Sequence, residues 1–216
     1  MTNHDDQLQR QFKARETLLR FNSGIWDSLF IRFNAMLREQ ERFSAQLQVK
    51  DQGGEIVAAL KKRNSKQLRE MRFREPPSEM QITANGNWSL GPVQLAASRW
   101  VTEICLCHGH QRRRAVFHHD EHGLESAVVI VEARQGKHLE QPEKPAQLKL
   151  LEAQADQIKG QQVWQWGKSL GLIVMAERSK DSPQSCGLRW CPEPGEHLEL
   201  MRSYSSSGRL KPIGIN

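Results

Sequence analysis

The chain has 216 residues, of which 31 are basic and 25 acidic, so its formal net charge is +6. This length suits one large domain, and all-β barrels often reach it as a single unit. The sequence contains no stretch of about 18 apolar residues that would cross a bilayer, and Met1–Asp6 lacks the basic and then apolar layout of a secretory signal. Four cysteines are too few for a disulfide scaffold, so we expect free thiols in a cytoplasmic protein.

The positive charge favours encounters with acidic partners, nucleic acid among them. The basic residues are scattered, however, and form only two tight runs, Lys61–Arg63 and Arg112–Arg114. No helix-turn-helix, zinc-finger or RNA-binding aromatic motif accompanies these runs. The sequence therefore favours an ordinary solvated basic surface over a nucleic-acid interface.

Residues 1–22 are predicted to form an amphipathic helix, because Leu8, Phe12 and Leu19 recur at helical spacing among polar neighbours. Strand patterns then follow almost to the C-terminus. They cover residues 25–33, 43–49, 55–60, 67–74, 100–108, 112–118, 124–131, 163–166, 170–177, 187–191 and 197–204.

Turn and loop signals separate these strands. Asn85-Gly86 lies between Ile82 and Trp88 and favours the positive φ angles of a tight hairpin turn. A long loop is predicted near residues 133–160, where prolines and charges replace apolar residues, with a helical turn over 147–159. The predicted fold is all-β: an antiparallel meander over residues 23–216, closed into a barrel and covered at one end by the N-terminal helix.

The segment Gly24-Ile25-Trp26, after a short helix and at the head of the first strand, resembles the calycin superfamily of lipocalin-like barrels. In that superfamily the tryptophan plugs the closed end of the barrel and stacks on an arginine from a late strand. The resemblance implies a structural role for Trp26. It also implies that Arg202, which shares strand parity with Tyr204, is the stacking arginine.

Within the superfamily, the nearer likeness is to cyanobacterial S-type phycobiliprotein (bilin) lyases and to uncharacterised calycin-like cyanobacterial proteins. The segments that carry it are Gly24-Ile25-Trp26-Asp27-Ser28, Gly187-Leu188-Arg189-Trp190 and Leu198–Ser203, although Cys186-Gly187 replaces the acidic residue expected before the late tryptophan. The resemblance implies a barrel that holds a bilin, phycocyanobilin or phycoerythrobilin, and offers it to a cysteine of a phycobiliprotein subunit. Whether the protein is an enzyme stays open, and no catalytic residue is assigned.

The parity of Trp26 places Ser28, Phe30 and Arg32 on the inner face of the first strand. An inward arginine requires an acidic partner, and a propionate of a small apolar ligand would supply one. Arg32 would need no such partner if it lies at the barrel mouth in water.

Other aromatic and basic side chains extend the candidate site. Trp100 begins an apolar strand face, and Arg112 and Arg114 share one side of the next strand. Such arginines would hold an anionic conjugated ring by charge and cation–π contact, or else face solvent. Trp190 would cap the pocket or fill the core. The predicted ligand-binding residues are Phe30, Arg32, Trp100, Arg114, Trp190, Arg202 and Tyr204.

Cys105-Leu106-Cys107-His108 and the pair Cys186 and Cys191 have zinc-ligand chemistry, but the Cys-x-Cys spacing on a strand lacks the knuckle of a zinc ribbon. Reduced thiols are favoured, and neither a metal site nor a tightly bound cofactor is assigned. The loop His118–Gly123 is interpreted as a solvated turn. An alternative function is a non-enzymatic assembly or interaction module for an acidic protein or RNA, with a barrel interior filled by its own side chains.

Overall fold

The computed structural model describes residues 2–96, 98–151, 160–175, 177–178 and 182–213. In these residues the chain forms one helix followed by fourteen strands. The elements are α1 (Thr2–Asn22), β1 (Gly24–Asn34), β2 (Glu39–Gln52), β3 (Glu55–Lys62), β4 (Leu68–Phe73), β5 (Gln81–Ile82), β6 (Trp88–Leu90), β7 (Trp100–His108), β8 (Gln111–His119), β9 (Leu124–Arg134), β10 (Leu148–Leu150), β11 (Gln161–Trp166), β12 (Leu170–Met175), β13 (Gln184–Trp190) and β14 (Leu198–Tyr204).

The first nine strands form one antiparallel sheet in the order β4-β3-β2-β1-β9-β8-β7-β6-β5. The meander returns on itself, because β9 pairs with β1 along nearly its whole length. Strands β4 and β5 are the two edges, and no ladder joins them within the described part of the chain. The sheet is therefore a curled half-barrel with a gap between β4 and β5, and the prediction of a closed barrel is wrong.

The last five strands form a second antiparallel sheet in the order β10-β11-β12-β13-β14. Its strands β13 and β14 pack on β6, β7 and β8 of the half-barrel. The main hydrophobic core lies between the two sheets and takes side chains from both, such as Ile31 and Phe117 from the first and Leu188 and Leu200 from the second. The predicted single meander is thus divided into two layers.

Strand β1 is the clearest case of a strand buried on both faces. Leu29, Ile31 and Phe33 point into the core between the sheets. Trp26 and Phe30 point to the opposite face and belong to two further apolar clusters. This near-continuous burial explains why β1 reads as an apolar run rather than as a clean alternation.

The helix, the hairpin and most strand positions are confirmed. The hairpin between β5 and β6 turns at Gly86, whose φ is 78°, and the Gly86 amide donates to the Thr83 carbonyl at 3.0 Å. The side chains of Leu8 and Phe12 lie outside the described part. Leu148–Leu150 forms β10 rather than a helical turn, and residues 152–159 of that prediction also lie outside the described part. In the described residues no helix has the length and apolarity to span a bilayer.

Candidate functional site

The concave face of the half-barrel carries the even-numbered residues of β1, as strand parity predicts. Across the ladders, Ser28 lies opposite Ala45 and Glu132, and Phe30 lies opposite Phe43 and Ile130. Side chains from strands as far apart as β3 and β6 meet in one cluster around Trp26, which shows that the sheet curves toward this side. The residues of β1 to β9 that lie on the same side of the sheet as Trp26 are called the concave face. It contains three of the predicted ligand contacts, Phe30, Arg32 and Arg114.

Trp26 closes the floor of the concave face. Its indole is fully buried and donates a hydrogen bond to the Asn22 carbonyl at 3.0 Å. The guanidinium carbons of Arg112 and Arg134 lie 3.9 and 4.4 Å from the centroid of its ring, so two cations contact the indole. The structural role of Trp26 stays a prediction. The arginines on its ring are not the predicted one, because Arg202 lies in the second sheet, on the other side of the half-barrel.

Asn22, the last residue of α1, ties the helix to this floor and was missed in the sequence. Its amide oxygen accepts hydrogen bonds from the Trp88 indole and from Arg112, both at 3.1 Å. Its amide nitrogen donates to the Gly86 carbonyl at 3.2 Å. Arg134 donates to the carbonyls of residues 21 and 23 just where the helix ends, and a cation there is favoured by the helix dipole. A polar residue at a helix end carries no signal in the sequence that it will be buried.

A buried ion network lies directly above Trp26. Glu132 is fully buried and accepts from Arg114 at 2.8 Å, from the Ser28 hydroxyl at 2.8 Å and from Arg112 at 3.1 Å. Arg114 also donates to Glu103 at 2.6 Å. Burial alone would raise the pKa of Glu132, but the charges of Arg112 and Arg114 outweigh it and lower that pKa. The network is therefore ionised at neutral pH, with two arginines for one fully buried carboxylate.

Apolar side chains form the wall above the ion network. The rings of Phe30 and Phe43 are stacked with centroids 4.9 Å apart. Phe30 is buried, whereas Phe43, Val116 and Val128 are partly exposed. These three side chains are the accessible part of the wall and offer an apolar surface to a ligand.

Exposed cations stand at the mouth of the concave face. Arg32 and Lys62 both approach Glu41, at 3.4 and 3.5 Å. The Lys62 ammonium also lies 4.2 Å from the centroid of the Phe43 ring. Two cations share one exposed carboxylate, which leaves net positive charge beside the apolar wall. Of the two arrangements considered for Arg32, the structure has the solvated one at the mouth.

The other predicted ligand contacts lie between the two sheets, away from the concave face. Trp100 stacks on His119, with ring centroids 3.9 Å apart, and meets Tyr204 edge-on at 5.5 Å. Trp190 is buried against Arg113, whose guanidinium lies 4.6 Å from the Trp190 ring. Trp100 and Arg114 therefore do not share one surface, because they occupy opposite faces of the first sheet.

Arg202 is fully buried and has a structural role. It donates to the Tyr204 hydroxyl at 2.8 Å, to the Gly91 carbonyl at 2.6 Å and to the Pro92 carbonyl at 3.0 Å. It also reaches the Ser89 hydroxyl at 3.2 Å. Backbone and hydroxyl oxygens satisfy this guanidinium, so it holds the loop after β6 against β14 instead of facing the predicted ligand.

All four cysteines are free thiols, and in the described part of the chain no three His, Cys, Asp or Glu side chains converge on a point that would hold a metal ion. Cys105 and Cys107 face the concave side with sulfurs 3.7 Å apart. Burial raises the pKa of Cys105 well above its usual range. The loop after β8 is a turn in which the Asp120 carboxylate accepts from the amides of His122 and Gly123, at 2.7 and 3.1 Å.

Comparison with known proteins supports the fold. No protein-family model and no curated protein match the chain. Among solved structures, the chain is similar to a protein of unknown function of the DUF3598 family from Nostoc punctiforme. The TM-score is 0.76 and the identity 17%, with 93% of this chain and 95% of that chain covered. At this identity the likeness shows a shared fold, in a cyanobacterial protein, and nothing about activity.

Proposed function

We propose that the protein binds a small amphipathic anion on the concave face, with the ligand's apolar body on the Phe30–Phe43 stack and its acidic groups toward Arg32 and Lys62. The observation that carries this proposal is the order of layers: a buried ionic floor, an apolar wall that is partly exposed at Phe43, and a mouth with two cations for one acid. Ligand sites combine apolar walls with a few fixed polar groups in this way.

A linear tetrapyrrole is the ligand class that fits this chemistry and the resemblance to S-type bilin lyases. Its conjugated rings would stack on the aromatic wall, and its propionates would pair with the mouth cations. Arg114, which is almost buried beside Glu103 and Glu132, would close the inner end. If the protein transfers the bilin to a phycobiliprotein cysteine, positioning of the bilin would supply most of the acceleration.

Phycocyanobilin titration followed by absorbance tests the proposal. We expect a saturable red shift. V116W, which places an indole on the partly exposed wall, should abolish it, and the double variant R32A/K62A should weaken binding about tenfold. K61A removes an exposed lysine from the opposite face of β3 and is the matched control, with no change expected. An unchanged spectrum, or a shift that survives in folded V116W, would refute the proposal. Lyase activity is tested separately by covalent attachment of the bilin to an apo-phycobiliprotein subunit.

A second candidate, an interaction module for an acidic protein, is favoured by strand β4. This edge strand is solvent-exposed, with Leu68 58% and Met71 63% exposed. Lys66 and Arg69 add positive charge, whereas Arg72 is paired with Glu55 and Glu70. An exposed edge accepts a further strand, and cations here favour an acidic one. This candidate predicts binding of an acidic phycobiliprotein subunit that weakens steeply with salt and is lost in R69E. Binding that is insensitive to both would exclude it.

A further inference from the structure

A second cavity lies on the other side of the first sheet, where strand β8 turns its odd-numbered residues toward the second sheet. Its volume is about 620 Å³, within the range of small-molecule sites. Val131, Trp166 and Leu170 form its apolar part. Its charged lining residues are three cations, Arg113, Lys149 and Lys168, and two acids, Glu140 and Glu143. This cavity is separate from the concave face, because Arg113 points opposite to its neighbours Arg112 and Arg114.

Arg113 is the charged group at the back of this cavity. Its side chain is only 4% exposed and lies over the Trp190 ring. One nitrogen donates to the Arg112 carbonyl at 3.0 Å, and the other reaches Glu140 and, at 3.5 Å, the Gln111 amide oxygen. Burial lowers the pKa of Arg113, although Glu140 opposes that change. A buried guanidinium with few partners is costly unless a carboxylate stays near it.

Glu140, the carboxylate that pairs with Arg113, belongs to the loop between β9 and β10 and is 52% exposed. The part of the loop that follows is fastened to β2. Arg42 donates to the Pro142 carbonyl at 3.0 Å, and the Glu39 carboxylate accepts from the Ala146 amide at 2.6 Å. Glu140 thus lies at the rim of the cavity and is half-exposed, while the loop beyond it is held against β2. It is therefore the member of the ion pair that a ligand can replace.

We propose that this cavity binds a small polar organic anion with at least two carboxylates, one of which takes the place of Glu140 on Arg113. Lys149 and Lys168 pair with the remaining acidic groups, and Trp166 forms the flat wall. The guanidinium favours carboxylate because its planar fork pairs with two oxygens at once. The proposal is independent of the bilin site, since it uses the opposite face of β8.

Citrate is the probe, measured by isothermal titration calorimetry at low salt. Wild-type protein should bind one citrate saturably below about 10 mM, and E140Q, which removes the competing carboxylate, should bind it about tenfold more tightly. R113Q should lose binding, and R113K should recover only part of it because lysine lacks the fork. R99Q removes an exposed arginine paired with Glu125 elsewhere on the surface and should change nothing.

Three results would overturn the proposal. One is the absence of saturable heat for both wild type and E140Q up to about 10 mM citrate. The second is equal affinity of wild type and E140Q, since Glu140 would then not compete for the anion. The third is unchanged binding in folded R113Q, which would place citrate elsewhere. The bilin titration does not use Arg113 or Glu140, so its outcome is read separately.

Discussion

His119 gives the sharpest test of the core between the sheets. The side chain is 1% exposed and its ring stacks almost parallel to Trp100. Within the described part of the chain neither ring nitrogen has a hydrogen-bond partner. Burial, and then electrostatic interactions with His118 and Arg178, lower the pKa of His119 to about 3. We expect H119F to be more stable than wild type, because phenylalanine keeps the stack and removes two unpaired polar atoms.

The magnitude follows from two contributions. At neutral pH, one buried unpaired polar group costs about 1–3 kcal/mol, which sets the expected gain of H119F. On acidification, unfolded His119 takes up a proton near its ordinary pKa of about 6.5 while the folded ring stays neutral. Between pH 6.5 and about 3 the unfolded state therefore binds more protons, and wild type loses up to about 1.4 kcal/mol per pH unit that H119F keeps. The difference in unfolding free energy between H119F and wild type should therefore be about 2 kcal/mol larger at pH 5 than at pH 7.5.

Urea denaturation followed by tryptophan fluorescence, at pH 7.5 and pH 5, measures both contributions. Other titrating groups cancel, because the quantity compared is the difference between two variants at each pH. V116A is the matched control, since Val116 lies on the opposite face of the same strand and has no titrating group, and its difference from wild type should not widen in this way. If H119F is less stable than wild type at pH 7.5, or if the difference stays constant with pH, the imidazole has a partner in solution and the reasoning is wrong.

Two further pairs of substitutions, each a test variant with its control, examine the floor of the concave face. G86A and G54A both place a side chain at a left-handed φ, but only at Gly86 would the new Cβ overlap the Phe21 side chain. In urea denaturation, G86A should therefore lower the free energy of unfolding by about 2 kcal/mol more than G54A does. Equal decreases would contradict the close packing of α1. E132Q should lower the free energy of unfolding by about 3–5 kcal/mol, because Arg112 and Arg114 then have no fully buried carboxylate to pair with. E103Q, at the partly exposed end, should lose clearly less, and the reverse order would refute the assigned network.

Strand positions could be predicted because each strand carries its own alternation and turn signals, as at Trp100–His108, which matches β7 at both ends. Closure could not, because it depends on how β4 and β5 meet after eight other pairings have accumulated twist and stagger. The composition change after residue 133 did mark a real boundary, since the second sheet begins beyond it at Leu148. A change of sheet and a loop within one sheet give the same local signal, so the second layer was not visible in the sequence.

In the candidate site, the alternation within each strand does not predict which residues of neighbouring strands share a face. Alternation correctly placed Arg112 and Arg114 on one side of a strand, but it did not say which face of β7 they share. The turn between the two strands decides this. His108 pairs with Gln111 around a two-residue turn, so even-numbered residues of β7 lie on the same face of the sheet as odd-numbered residues of β8. Glu103 therefore lies on the concave face together with Arg114, and the two form an ion pair. Trp100, being even, must lie on the other side. A turn length read from Gly109-His110 would have revealed the acidic partner and excluded the tryptophan from the site.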